Sequence, residues 1–200
     1  MMLTEVTPVP QAALPIAALK DHLRLAGGFA LAPDQDGLLE SYLRAAMAAI
    51  EGRIAKALIQ RSFAWEIEQW GDPSGQALPI APVAAVQSLT LYAEDGTPTV
   101  IPPTQFRLVR DLHRPRIAGS AGLLPDVPTD GRAVVEFDAG FGLTWADVPP
   151  DLQQAVMLLA AEFYEHRHDD ASQGAGLPFA VVTLIERWRQ VRVLGGRGRR

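Results

Sequence analysis

Cysteine is absent from the 200 residues, which excludes disulfides and thiolate metal sites and agrees with a reducing compartment. Asparagine is absent as well, and lysine occurs twice against sixteen arginines, a composition expected of a GC-rich genome. No apolar run is long enough to cross a bilayer: the longest clean one is Ala155 to Ala161, whereas a spanning helix needs about 20 residues. The opening stretch MMLTEVTPVPQAALPIAAL has no basic n-region and is broken by Pro8, Pro10 and Pro15, so no secretory signal is expected. A soluble intracellular product with no membrane partner is the expectation.

What is present is ordinary for one globular domain: 48% hydrophobic and 20% charged residues, in a chain long enough for a real core and short for two. The net charge of −5 conceals an uneven distribution. Residues 187–200 hold six arginines and no acid, which leaves twelve cations against all 23 acids in the first 186 residues, a balance of −11. An acidic body is a poor DNA binder, because affinity for DNA comes mainly from cations that displace counterions.

Periodicity divides the chain. Residues 1–15 are proline-spaced and aperiodic, an extended arm. IAALKDHLRLAG follows as a short helix, with Leu19, Leu23 and Ala26 on one face and Gly27-Gly28 as its stop. The next segment, 35–58, is a long helix: Asp34 can cap it, Asp36 sits at its positive end, and Leu39, Leu43, Ala46, Ile50, Ile54 and Ala57 recur at helical spacing. The period then falls to two in SFAWEIEQW, where Phe63, Trp65 and Ile67 form a buried strand face. Proline-delimited strands follow, with Leu89 and Leu91 before a hairpin at Asp95-Gly96. Shorter strands are predicted at 105–109 and 115–118, and a last one in RAVVEFDAGFG. Pro149-Pro150 ends the extended run and Pro150-Asp151 starts a helix whose stripe is Leu152, Val156, Leu159 and Phe163. DDASQGAGL reads as a linker over 169–177. A final helix is predicted from 178 to 194, with Val181, Leu184, Ile185 and Trp188 on one face, Arg192 ending the stripe, and GRGRR as a free tail.

The order implies an α+β fold: a bundle of about four helices, a small antiparallel sheet inserted at about 61–142 between the second and third main helices, and a C-terminal helix extending from the body. The domain reading is an arm at 1–15, a body at 16–168, a linker at 169–177 and a helix with an arginine-rich tail at 178–200.

Catalytic and metal motifs do not assemble. Glu162 and His166 share a helix face, but a metal needs three or four converging ligands. DQDG at 34–37 lacks the remaining ligands of a calcium loop and reads as helix capping. AGSAG at 118–122 is not a nucleophile elbow. AGFG at 139–142 lacks the third glycine of a dinucleotide loop and reads as a tight turn with an aromatic plug. No cofactor is expected. RWRQVRVLGGRGRR is the segment whose charge asks for a partner: a solubilising end, a nucleic-acid contact or a contact with an acidic protein surface. Trp188 favours protein, since Trp and Arg are typical interface anchors.

The ordered set of LKDHLR, AAIEGRIAKAL, SFAWEIEQW, LPIAPVAAVQSLTLYAEDG, VVEFDAGFG and VPPDLQQAVMLLAAEFYEHR resembles the head–tail connector (adaptor) proteins of long-tailed bacteriophages over residues 16–168. The composition suits a prophage or gene-transfer-agent particle of a GC-rich bacterium. The resemblance implies a non-enzymatic ring, typically of twelve subunits, beneath the portal, with a stopper or tail-side connector below it. The resemblance implies that DNA passes through the lumen without sequence-specific binding. It also implies that the C-terminal segment reaches toward the portal, so Val181, Leu184, Ile185, Arg187, Trp188, Arg189, Arg192, Arg197, Arg199 and Arg200 are the expected docking residues. The competing classes are a DNA-binding accessory protein acting through the arginine tail and a small enzyme with a site assembled from distant residues. The chain departs from shorter family members in its proline-rich arm and arginine tail.

Overall fold

The computed structural model describes residues 1–23, 35–166 and 176–189. Its helices are α1 (Ile16–His22), α2 (Asp36–Ile54), α3 (Pro150–Glu165) and α4 (Phe179–Ile185). The stripe on α2 is buried at Leu39, Leu43, Ala46, Ile50 and Ile54, as helical spacing requires. Ala57 is not part of that stripe. The helix ends at Ala55, which takes the left-handed conformation (φ 54°, ψ 42°), and Ala57 turns into the β core instead. Asp34, Ala26 and Gly27-Gly28 lie outside the described residues. Asp36 pairs with Lys20 at 2.5 Å, fastening α2 to α1. Pro150 opens α3, and Leu152, Val156 and Leu159 are buried between α3 and its neighbours. Phe163, predicted as the next core residue, is only half-buried, because the packing of α2 on α3 opens into a groove at that level.

Among the described residues, eight antiparallel strands form two sheets. The larger has the order β1-β2-β8-β4-β5, made of Met2–Glu5, Arg61–Ile67, Arg132–Ala139, Val83–Tyr92 and Pro98–Val100. The smaller has the order β3-β7-β6, from Gln76–Ala77, Arg116–Gly119 and Phe106–Val109. Alternation places Phe63, Trp65 and Ile67 of β2 beside Phe137, Val135 and Ala133 of β8 on one face, and the Phe63 and Phe137 rings stack with centroids 5.8 Å apart. That face shares a core with Phe106, Ile117 and Leu124 from the smaller sheet and its flank. Gly96 supplies the positive φ (82°) of the predicted hairpin, where the Asp95 carboxylate accepts the Thr97 N–H.

Residues 1–14 and 178–188 are folded onto the body. The arm is not simply extended: Met2–Glu5 pairs with β2, Gln11–Ala13 forms a 3₁₀ turn, and Val9 and Leu14 enter the helical core. Pro8 and Pro10 fall after the strand, where no ladder N–H is needed. At the other end the predicted long helix is short. α4 stops at Ile185, Glu186–Trp188 tightens to a 3₁₀ turn, and Arg189 is extended; residues 190–194 and most of the linker, 169–175, lie outside the described residues. The helix does not extend from the body either. Its stripe of Val181, Ile185 and Trp188 is apolar and needs cover, which α3 and its surroundings supply.

Candidate assembly surfaces

The AGFG turn carries the geometry that holds the C-terminus. Gly140 has φ 142°, and a Cβ there would lie 2.3 Å from the Gln60 backbone, so only glycine lets the chain pass. The Gly140 and Phe141 N–H groups donate to the Pro82 and Leu58 carbonyls. A Thr144–Asp147 capping box then turns the chain toward α3; both Thr144 donors hold the Asp147 carboxyl below its usual range. The turn presents Phe141 edge-on to Trp188, with centroids 5.3 Å apart at 83°. Trp188 Nε1 donates to Asp151 Oδ2 at 2.7 Å, and Arg187 Nε forms an ion pair with the same oxygen at 2.7 Å while its guanidinium lies over the indole. One carboxylate in the first turn of α3 therefore gathers the C-terminal segment.

Of the residues expected to dock a partner, Val181, Ile185 and Trp188 are buried inside their own chain. Leu184 is half-buried, Arg187 is engaged by Asp151, and Arg189 pairs with Glu186 at 3.0 Å. Arg192, Arg197, Arg199 and Arg200 lie outside the described residues. Phe179 is 86% exposed at the start of α4, and spacing gave no reason to single it out. Nothing local in the sequence pairs Asp151 with Trp188, 37 positions apart; the signal was an acid at a helix start with room for a donor.

Two cations are buried in the framework. The Arg61 guanidinium meets Glu51 in two parallel hydrogen bonds of 3.0 and 2.8 Å and Glu5 in a third of 2.8 Å, so it ties β1 and β2 to α2. Burial alone would lower its pKa, but the hydrogen bonds and charges of Glu51 and Glu5 outweigh it and raise the value. Lys56 is fully buried and donates to the Leu112 carbonyl at 2.6 Å. Desolvation pushes its pKa down, and the nearby Asp111 charge opposes that only partly.

The surfaces differ in character. A groove of about 520 Å³ runs along α2 and α3, walled by Tyr42, Ala45, Leu159, Phe163 and Leu177. On the outer face of the larger sheet stand Glu66, Glu136 and Asp138, with Glu68 just beyond the end of β2. On the outer face of the smaller sheet stand Arg107 and Arg116, with Arg110 and Arg114 exposed in the turn between them. The residues weighed for chemistry have structural partners: His166 Nδ1 lies 3.4 Å from Glu162, Asp36 holds Lys20, and the Ser120 N–H donates to the Gln105 carbonyl. Among the described residues no group of three potential metal ligands converges.

No protein-family model and no curated protein matches the chain. Solved structures do. A chain from the neck of an empty gene transfer agent particle, computed with C6 symmetry, is 55% identical, with a TM-score of 0.88 over 98% of this chain and 100% of that one. A chain from the virion of a native gene transfer agent particle is 54% identical with a TM-score of 0.86, and one from the neck of a native particle computed with C12 symmetry is 52% identical with a TM-score of 0.84. Both cover 98% of this chain and 100% of their own.

Proposed function

We propose, from the premise that this chain belongs to the head–tail connector family of phage-like particles, that it is a structural adaptor in the neck of a gene-transfer-agent-like particle. The observation that carries this reading is 52–55% identity over nearly the whole of both chains to proteins of such particles. The adaptor forms a ring of twelve copies beneath the portal protein, joins the head to a stopper or tail-side connector, and lets DNA pass through its lumen. The sixfold and twelvefold symmetry of the neck assemblies supports that copy number. The acidic body suits the passage, since a lumen without a cationic lining does not hold DNA.

Portal contact falls to residues 178–200, with a division of labour that the burial pattern supports. Val181, Ile185 and Trp188 hold the segment to the body. Phe179, Leu184, Arg187 and Arg189, with Arg192, Arg197, Arg199 and Arg200 beyond them, face the partner. Truncation after Gly176 would remove core side chains and report on folding. Charge reversal of Arg192, Arg197, Arg199 and Arg200 removes none of the buried side chains Val181, Ile185 and Trp188 and is the informative variant. Purified particles from cells making that variant should be DNA-filled heads without tails, seen by electron microscopy. Tailed particles at normal yield would refute the portal role of the tail, and absence of the unmodified chain from the neck of particles would refute the adaptor reading itself.

A further inference from the structure

The β unit is electrically two-faced. Its two sheets turn their apolar faces toward one shared core, so their outer faces point in opposite directions. On the larger sheet, register places Glu66 opposite Val134 and Ala64 opposite Glu136 on the outer face, with Asp138 two positions on. Glu68 and Asp130 border a shallow depression beside them. The one cation in that depression, Arg132, is already drawn to Glu66 at 3.5 Å and lies over Tyr92. On the smaller sheet, Arg107 opposes Ala118 and Val109 opposes Arg116, which puts both guanidiniums on its outer face. Arg110 and Arg114 extend the patch, and Leu112, 46% exposed, sits among them. Two acids border the patch: Asp72 lines the same depression as Arg114 and Arg116, and Asp111 is held by the His113 and Arg114 backbone N–H groups at 2.7 Å. One face thus sets five carboxylates, those of Glu66, Glu68, Asp130, Glu136 and Asp138, against the Arg132 guanidinium, and the other sets four guanidiniums against the two carboxylates of Asp72 and Asp111.

We infer that successive copies in the ring meet through these two faces, the arginine-bearing β6–β7 hairpin of one copy lying on the acidic outer sheet face of the next. The inference rests on the ring reading above. A cyclic ring needs a heterologous contact, one patch against a different patch on the far side of the subunit, and the two charged faces have that disposition. The same arrangement disfavours the commonest wrong assembly. A twofold dimer would set acidic face on acidic face or cationic face on cationic face, and like charges brought together oppose it. Opposite charges at such a contact mainly orient and accelerate docking, while Leu112 and the apolar Ala64 and Val134 between the acids supply surface to bury. The occupant of each face is therefore a second copy of this chain, not nucleic acid.

The test uses particles from cells in which the full-length chain is replaced by variants. Arg107→Glu with Arg116→Glu, and separately Glu68→Arg with Glu136→Arg, should each lower incorporation into particles at least tenfold, and the variant carrying all four changes should restore it. Because the chain lacks cysteine, Ala64→Cys with Val109→Cys adds a unique pair beside the charges without altering them. A short bis-maleimide should then give a ladder of this chain's multimers in purified particles. Normal incorporation of both two-residue reversals overturns the inference. So does a particle-borne double-cysteine chain that cross-links only within itself or to other proteins, and either result leaves the adaptor reading standing. Loss of DNA binding by the arginine reversal, with the multimer ladder absent, would assign the cationic face to nucleic acid and overturn it too. If the unaltered chain is missing from particles, the adaptor reading and this inference fall together. Each substituted side chain is at least partly exposed, and melting temperatures within a few degrees of the parent separate assembly loss from unfolding.

Discussion

Core residues of the β unit come from one unbroken stretch, Ala57 to Ala139. The helical core draws on both ends of the chain, from Val9 and Leu14 through α2 and α3 to Val181, Ile185 and Trp188. The first can close once a continuous segment has folded on itself. The second closes only when residues more than 150 positions apart in sequence are brought together, and loop-closure entropy opposes that. A unit whose core comes from one segment, with only the edge strand β1 added from the N-terminus, is thus suited to be a fixed body. A bundle whose outer layers are the two termini is the part whose edges can open, and local stability is expected to be lowest there.

The sharpest way to break this comparison is to remove one phenyl ring from each region. Phe137 is fully buried in the β core, so Phe137→Ala should cost about 3–5 kcal/mol. Phe163 borders the groove, half-exposed, and Phe163→Ala should cost about 1–2 kcal/mol, since much of its surface already meets water. Denaturant unfolding of both variants is the measurement. Equal losses would mean that the groove side of the bundle is packed as tightly as the sandwich.

The same contrast explains what could be read from residue order alone. Strands β2, β4, β6, β7 and β8 were legible because period-two alternation is local, and Phe63, Trp65 and Ile67 point inward wherever the strand pairs. The stripes of α2 and α3 were legible for the same reason. What the pattern could not carry was closure. Trp188 looked like an anchor for another protein because its stripe had no visible cover, whereas Phe141 and Asp151 supply that cover from 47 and 37 positions away. The arm looked unpaired because its alternation is too short to register, yet β2 has a free edge that accepts it. The charged faces were likewise invisible, since their members come from different strands and only the pleat sorts them.

Smaller effects sharpen the comparison at the two termini. Arg61 and Glu51 have side chains only 8% and 11% exposed, and removing one member of such a pair leaves the other charge stranded. Arg61→Met strands Glu51 and releases Glu5 as well, so it should cost about 3 kcal/mol and free the N-terminal strand, read as faster amide exchange at residues 2–5. At the opposite end, Trp188→Phe keeps the ring packing on Phe141 but removes the donor to Asp151. The expected loss is about 1–2 kcal/mol, near that of one hydrogen bond to a charge, with faster exchange confined to α4. Uniform acceleration across β4 and β8 in either variant would show that the two cores unfold as one unit.

The smallest effect concerns the joint between the regions, where Lys56 leaves the end of α2 and lies buried against the β6–β7 turn. Burial places its folded pKa below the ordinary lysine value of 10.5, with Asp111 opposing in part. Between the folded pKa and the unfolded one, the unfolded chain binds more protons, so stability rises with pH across that window and is flat below it. Lys56→Met keeps most of the volume and removes the titration. It also removes both the cost of burying a charge and the hydrogen bond to Leu112, terms of opposite sign, so the change at neutral pH should stay within about 1 kcal/mol. The variants should therefore diverge on the alkaline side: the parent gains stability as pH climbs toward 10.5, and Lys56→Met lacks that gain. Parallel curves from neutral to alkaline pH would mean that the Lys56 ammonium is hydrated in the folded chain, and that water reaches the joint between the helical and β cores.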